Sequence, residues 1–308
     1  MIEILLATYN SEKYLREQID SIIEQDCDNW KLIIRDGGSN DSTIEIINDY
    51  YLRFPEQVKV IQSIGRSSAV ENFSALLEAS NAEYIMFADH DDIWFKNKVS
   101  CSFDKIVESE KKYGCNSPLM VFSDMQVVDA DLNILSDSFF DFQKLNPSKL
   151  NLRNMLVQNI PSGCTMIINR NLAEIASPVP VNAVMHDHWL AIAAVVFGHI
   201  VFLEKPTLMY RQHSNNVFGA SQYGLKYLCE KIFNGRKLLR KRFFKDVEQA
   251  VVFLQNYHEQ LSPEYIELLG DFTKLKDVSG FRAWKILLTH KILKNGFMRN
   301  LGMFYILL

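Results

Sequence analysis

Three short polar clusters in the first hundred residues carry the groups best suited to chemistry: Thr8-Tyr9-Asn10, Asp36-Gly37-Gly38-Ser39-Asn40-Asp41 and Asp89-His90-Asp91-Asp92. Carboxylates two apart on a turn, as in Asp89-x-Asp91, can project toward one point. Hard cations such as Mg²⁺ take oxygen ligands of this kind, often shared with substrate phosphates. The chain has neither G-x-G-x-x-G nor G-x-x-x-x-G-K-[ST], so the usual dinucleotide and P-loop cradles are missing. A nucleotide bound here would need another counter-charge, which a divalent ion on the aspartates supplies. The plainer alternative is that these aspartates cap the helix that follows.

Each cluster follows a short apolar run. Ile2–Ala7, Leu32–Arg35, Val58–Gln62 and Tyr84–Ala88 read as strands. Between them, Ser11 is expected to cap a helix carrying Leu15, Ile19 and Ile22 on one face, and Ser42 to start a second helix running to about Phe54. Ser68-Ala69-Val70-Glu71 has the form of a capping box and opens a third helix through Ala79. Alternating strands and helices indicate a mostly parallel sheet, whose ligands bind beyond the carboxyl ends of the strands. All three clusters sit at such ends. Later, Met120–Val128, Thr165–Asn169, His199–Leu203 and Thr207–Gln212 read as further strands, with a helix over His188–Phe197 and a polar excursion over 133–150. From about 221 the chain reads as helices only.

The bulk composition is that of an ordinary globular protein: 308 residues, 48% hydrophobic, 23% charged, net charge −4. The distribution of charge is less even. Residues 221–308 hold 15 Lys+Arg against 8 Asp+Glu, a net of +7, while residues 1–220 hold 18 against 29, a net of −11. Five scattered cysteines without a CxxC pair argue against a disulfide framework or a thiolate zinc site and fit a reducing cytosol. The N-terminus lacks the pattern of a signal peptide, and no apolar run is long enough to span a bilayer.

The sequence resembles family 2 glycosyltransferases. The three clusters, in the forms Ala7-Thr8-Tyr9-Asn10, Asp36–Thr43 and Phe87–Trp94, look like that family's N-terminal motifs. The resemblance continues through Gly163-Cys164-Thr165-Met166, His186-Asp187-His188-Trp189 and Tyr210-Arg211-Gln212-His213-Ser214-Asn215-Asn216, and is greatest to the bacterial rhamnosyltransferase-like branch. It implies an α/β chain with the GT-A fold, a Rossmann-like nucleotide-binding mixed sheet flanked by helices, over residues 1–220, followed by a helical basic region over 221–308. It implies inverting sugar transfer from a nucleoside diphosphate to a glycan acceptor in cell-surface polysaccharide synthesis, such as capsule or O-antigen. The donor would be dTDP-rhamnose or a UDP-hexose.

The resemblance also implies roles. Thr8, Tyr9 and Asp36 would line the base pocket, with Asn10 beside them and Asp36 accepting from the base imide. Asp89 would hold the ribose, and Asp91 a Mn²⁺ or Mg²⁺ on the diphosphate, with His213 completing the metal site. Asp187 would be the general base, unless it simply caps its helix. Gly163 would lie in the acceptor-side loop, and Trp94 and Trp189 would stack on sugar faces or pack at helix starts. Where the family usually shows Asp-Asp-Gly, this chain has Asp36-Gly37-Gly38 and lacks the second acid. The basic end, with Leu239, Phe243 and Phe244 facing lipid, would place a cytoplasmic enzyme on the inner face of the plasma membrane, near a lipid-linked acceptor; a solvated helical face is the alternative. Nucleic acid is not an expected partner, because Arg236–Lys245 supplies charge without a recognition module. Two other functions fit less well. A sugar nucleotidyltransferase would need glycine in the first loop, and a non-catalytic sugar-nucleotide-binding subunit would be expected to lose Asp91 or Asp187.

Overall fold

The computed structural model describes residues 1–63, 65–213 and 225–308, with the side chains of 225–234 outside that description. The chain forms two compact units. The first is Met1–Phe139, Pro161–Val179 and Met185–Ala220; the second is Phe140–Ile160, Pro180–Val184 and Ser221–Leu308. The second unit therefore takes two segments from the middle of the chain besides its C-terminal helices.

In the first unit, β1 (Ile2–Thr8), β2 (Trp30–Asp36), β3 (Val58–Ile61) and β4 (Tyr84–Ala88) pair in parallel, joined by α1 (Leu15–Ile23), α2 (Thr43–Arg53) and α3 (Ala69–Ala79). Six of the seven residues of β1 are buried, as expected of a parallel strand covered on both faces. Register then places the chemistry. Thr8 pairs with Asp36 and Leu6 with Ala88, so the ends of β1, β2 and β4 reach one edge of the sheet together.

The chain continues through β5 (Ile93–Trp94), α4 (Lys98–Tyr113), β6 (Leu119–Val128), β7 (Ile134–Ser136), the short helices α5 (Phe139–Gln143) and α6 (Leu152–Met155), β8 (Met166–Asn169), α7 (Arg170–Ala176), α8 (His186–Phe197) and β9 (His199–Arg211). The sheet order is β3-β2-β1-β4-β8-β6-β9-β5, with β7 on β6. Strand β8 runs antiparallel to both β4 and β6, which turns a parallel half-sheet into a mixed one.

Several local expectations are revised. Ser11 does not cap α1 with its side chain: its hydroxyl accepts from the Tyr9 N–H, and its carbonyl receives the first helical N–H groups. Ser42 stands at the start of α2 as expected, but its side chain makes no cap bond; Asp41 Oδ1 accepts from Thr43 N instead, at 3.1 Å. Ser68 and Glu71 do form the reciprocal capping box. The two late strands are one, β9, because its register shifts against β6 absorb Pro206 without breaking the pairing. Helix α8 begins at His186, so Asp187 lies inside its first turn and is not its cap.

The second unit contains α9 (Leu225–Tyr257), α10 (Pro263–Thr273), α11 (Phe281–Thr289) and α12 (Phe297–Ile306). Phe243, Val247, Ala250 and Phe253 of α9 are buried, and Phe243 meets Phe272 of α10 edge-on with ring centroids 6.1 Å apart. Phe243 is thus core, and the expectation that it faces lipid is overturned. Among the described residues, no helix is long and apolar enough to cross a membrane.

Gly198 joins α8 to β9 where the chain passes against Pro118. A Cβ there would lie 1.8 Å from the Pro118 carbonyl oxygen, a backbone atom that cannot swing aside. Gly198→Ala must push the end of α8 off the sheet. The expected loss is about 1–3 kcal/mol of stability, read from the urea midpoint; an unchanged midpoint would contradict this packing.

Candidate active site

The first two loops are sewn together by side chains. Thr8 Oγ1 donates to Asp36 Oδ1 at 2.8 Å, and the Gly38 and Ser39 N–H groups donate to Asp36 Oδ2 at 2.8 and 2.7 Å. The Ser39 hydroxyl adds a bond to Asp36 Oδ1 at 2.6 Å. Asn10 takes a left-handed turn, φ 48°, which asparagine tolerates. Its N–H donates to Ser39 Oγ at 2.8 Å, and its side-chain oxygen accepts from Asn40 N at 3.0 Å. Thr8, Asn10 and Asp36 are therefore brought together as expected. Their observed work, however, is to fold the rim. Four donors fill the lone-pair sites of the Asp36 carboxylate, so an imide contact has to displace one of them. Tyr9 is the open member, 37% exposed, with the Arg66 guanidinium 5.0 Å above its ring.

Gly37 stands in place of the missing acid. A Cβ at this position would lie 2.7 Å from Asn72 Nδ2 and 3.1 Å from the Ser67 carbonyl. Asn72 is itself held by a hydrogen bond from Arg35. A second aspartate there would have to displace the Asn72 side chain.

The turn after β4 is held from below and from one side. His213 Nε2 lies 2.8 Å from Asp91 Oδ2, and the imidazole stacks on Tyr14 with centroids 4.8 Å apart. Arg211, almost wholly buried, straps the turn. Its Nε donates to the Asp91 carbonyl at 3.0 Å, its Nη1 to the Ala130 carbonyl at 3.0 Å and its Nη2 to Glu17, while its guanidinium lies 4.5 Å from the Tyr14 ring centroid. Its backbone N–H also reaches Asp92 Oδ1 at 3.3 Å. Beneath lies Lys98, which no solvent reaches; Nζ donates to Thr207 Oγ1 at 3.1 Å and sits 4.7 Å from the Trp94 ring centroid. Burial lowers the Lys98 amine to about 8, with Cys164 and Asp92 opposing the shift.

Lys98 and Arg211 are the residues that sequence reasoning passed over. Lys98 had a signal: a lysine opening a helix opposes the helix dipole and calls for an anion nearby. Arg211 was part of a motif but had been given no task.

Among the described residues, two groups could hold a metal. Asp91 and His213 offer a carboxylate oxygen and an imidazole nitrogen already drawn together, a donor set that suits Mn²⁺ and, through the carboxylate, Mg²⁺. Asp89, Asp92 and Cys164 also bring one ligand atom each within 4.8 Å of one another. That second group fits Mn²⁺ or Mg²⁺ less well, because its third donor is a soft sulfur, whereas these ions favour oxygen ligands.

On the opposite flank, Asp187 Oδ2 accepts from Gly163 N at 3.1 Å and Oδ1 from His188 N at 2.6 Å. Burial pushes the Asp187 carboxyl up to about 6, with those N–H groups opposing. Burial, then the charges of Asp91 and Asp187, raises Asp89 as well, so the acidic groups of the turn and the helix share one field. Gly163 is needed where it stands: a Cβ would lie 2.8 Å from His186 Nε2. His186 is buried against Phe73 and Phe87, centroids 3.8 and 5.0 Å away, and burial lowers it to about 3, leaving it neutral.

Trp94 and Trp189 are corrected. Trp189 is fully buried with its indole N–H donating to the Ala176 carbonyl at 2.9 Å, and Trp94 belongs to the sheet's core. Neither ring offers a face to a sugar. Ser214, Asn215 and Asn216 of the last motif lie outside the described residues.

Because Arg211 fixes both the Asp91 backbone and the strand end that carries His213, Arg211→Gln should lower divalent-ion affinity about 10–100-fold, measured by Mn²⁺ titration with UDP present. Unchanged affinity would show that the strap does not hold the site.

Comparison with known proteins identifies the family. The profile of glycosyl transferase family 2 matches residues 3–172. A dTDP-rhamnosyl transferase of Shigella flexneri, RfbG, is 29% identical over 224 residues, which span 70% of this chain and 74% of that one. Mycobacterial relatives of uncharacterized function follow, and the chain spans 60% of their length. In fold, the chain is similar to Staphylococcus aureus TarS residues 1–349 in complex with UDP-GlcNAc, with a TM-score of 0.56, 17% identity and coverage of 99% and 90%. It is also similar to the mannosyltransferase PcManGT of Pyrobaculum calidifontis in complex with GDP-Man and Mn²⁺, with a TM-score of 0.53, 12% identity and coverage of 94% and 84%. A mixed sheet with three polar loops at one edge, an acidic turn strapped beneath a histidine, and a profile match over more than half its length place this chain in glycosyl transferase family 2.

Proposed function

We propose that the chain transfers a hexose or deoxyhexose, with inversion, from a nucleoside diphosphate to a lipid-linked glycan acceptor in bacterial cell-surface polysaccharide synthesis, dTDP-rhamnose or a UDP-hexose being the donor. The observation that carries this reading is an Asp91–His213 pair on a turn whose Asp89 carboxyl is raised in part by the charge of the raised, oriented Asp187 carboxylate. The RfbG and TarS names support a nucleotide-sugar donor without choosing among bases.

In this reading Tyr9 packs on the base, the Thr8–Asn10–Asp36 rim shapes its pocket, and Asp89 holds the ribose. Asp91 and His213 would hold Mn²⁺ or Mg²⁺, which supplies positive charge to the diphosphate. Asp187 takes the proton of the acceptor hydroxyl as that oxygen attacks the anomeric carbon. The bond from that carbon to the diphosphate oxygen breaks on the opposite face, and the nucleoside diphosphate leaves with the electron pair. Gly163 serves twice: its N–H orients Asp187, and its missing side chain leaves room for the acceptor loop to approach His186 closely. Work on a lipid-linked acceptor places the protein at the cytoplasmic face of the plasma membrane, in peripheral contact through its C-terminal helices.

A carboxyl near 6 accepts a proton only when ionised, so kcat/KM should rise with pH and level off above about 6. Asp187→Asn should remove that limb and lower transfer roughly 10²–10⁴-fold, with donor affinity nearly unchanged; full activity would remove Asp187 as base. Chelation by EDTA should abolish donor hydrolysis across a panel of dTDP- and UDP-sugars, and Mn²⁺ should restore it. His213→Ala should raise the Mn²⁺ needed about tenfold or more. No metal-dependent nucleotide binding and no hydrolysis of any donor would overturn the enzyme reading.

A further inference from the structure

The last two helices of the second unit carry an apolar row that, among the described residues, stays largely exposed. On α12, Phe297, Leu301 and Tyr305 recur at helical spacing and are exposed, Phe297 by 75%, and Leu308 just beyond the helix is exposed as well. On α11, Phe281 (79% exposed) and Leu288 add to them. The two helices are fixed to each other: Trp284 donates its indole N–H to the Phe304 carbonyl at 3.0 Å, and Gly280 N donates to the Leu307 carbonyl at 2.8 Å. Each also buries residues on another side, Leu287 on α11 and Met303 and Ile306 on α12. The outward apolar residues are therefore surplus to the unit's own core.

Charge identifies what covers them. Residues 278–308 contain Arg282, Lys285, Lys291, Lys294 and Arg299 and no aspartate or glutamate. Arg236 of α9 lies over the Tyr305 ring at 4.9 Å and adds a further cation at the row. Exposed phenylalanine and leucine beside the exposed cations Arg282, Lys285 and Lys291 match the two layers of an anionic bilayer surface: headgroups for the cations and the acyl boundary for the rings. A second copy of the chain is a poorer match, because these like charges would repel where the apolar rows met.

We propose that the α11–α12 face is the surface by which this protein docks on anionic lipid, with Phe281, Phe297 and Leu301 entering the interface. This replaces α9 as the lipid-facing element and deepens the peripheral-membrane part of the proposed function. Lipid binding is read without any sugar donor, so its failure leaves the assignment of sugar transfer standing.

The test is co-sedimentation of the full chain with vesicles of phosphatidylcholine alone or mixed with phosphatidylglycerol. Binding is expected only to the anionic vesicles and should fall steeply with salt. Phe297→Ser with Leu301→Ser should weaken it about tenfold or more, and Lys285→Glu with Lys291→Glu should weaken it on anionic vesicles to a similar degree. All four side chains are exposed, and an unchanged circular dichroism spectrum and urea midpoint show that the variants remain folded. The proposal is overturned if the full chain ignores anionic vesicles, if neither double variant changes binding, or if light scattering shows a dimer that Phe297→Ser with Leu301→Ser disperses while vesicles bind nothing.

Discussion

The site depends on one constraint: carboxylates gathered at the end of a buried strand must be met by charge and donors from within the chain. Asp89, Asp91 and Asp92 follow β4 on one turn, and burial raises the carboxyls of Asp89 and Asp92. Arg211 answers this with its backbone N–H on Asp92 while its guanidinium grips the Asp91 carbonyl, Ala130 and Glu17 at once, and the buried Lys98 amine adds a positive charge that acts on Asp92. The same arginine ends β9, so the strap that fixes the turn also brings His213 to Asp91. Electrostatics and topology are here a single device.

The opposite flank works by absence of atoms. Gly163 lets a loop approach His186 and aim its N–H at Asp187, and Gly198 lets α8 turn back onto the sheet under Pro118. Gly37 makes room for Asn72 at the position where the family usually shows a second acid. At these positions a missing side chain sets the geometry that the charged groups then use.

Much of this was legible in the residues. The apolar runs of β1, β2 and β4 and the clusters after them could be placed because strand burial and turn chemistry are local properties. The mixed half of the sheet was harder to see. The antiparallel insertion of β8 between β4 and β6 is a long-range pairing with no local signal, and β9 reads as two strands because Pro206 marks a break that the bulge absorbs. Asp36 and Asp187 were legible as acids at a ligand-bearing edge, but not which lone pairs the chain had already used. Trp94 and Trp189 misled because an aromatic beside a motif looks the same in sequence whether its ring faces a sugar or the core. The same holds for α9: its apolar stripe is real, yet Phe243 faces α10, and the uncovered row lies on α11 and α12, where exposure alone distinguishes it.

The central claim is that Asp187 directs a single in-line displacement at the anomeric carbon. It is tested most directly by proton NMR of the glycosidic linkage formed from a donor of known anomeric configuration. The account predicts a product of opposite configuration; a product that keeps the donor's configuration would contradict it.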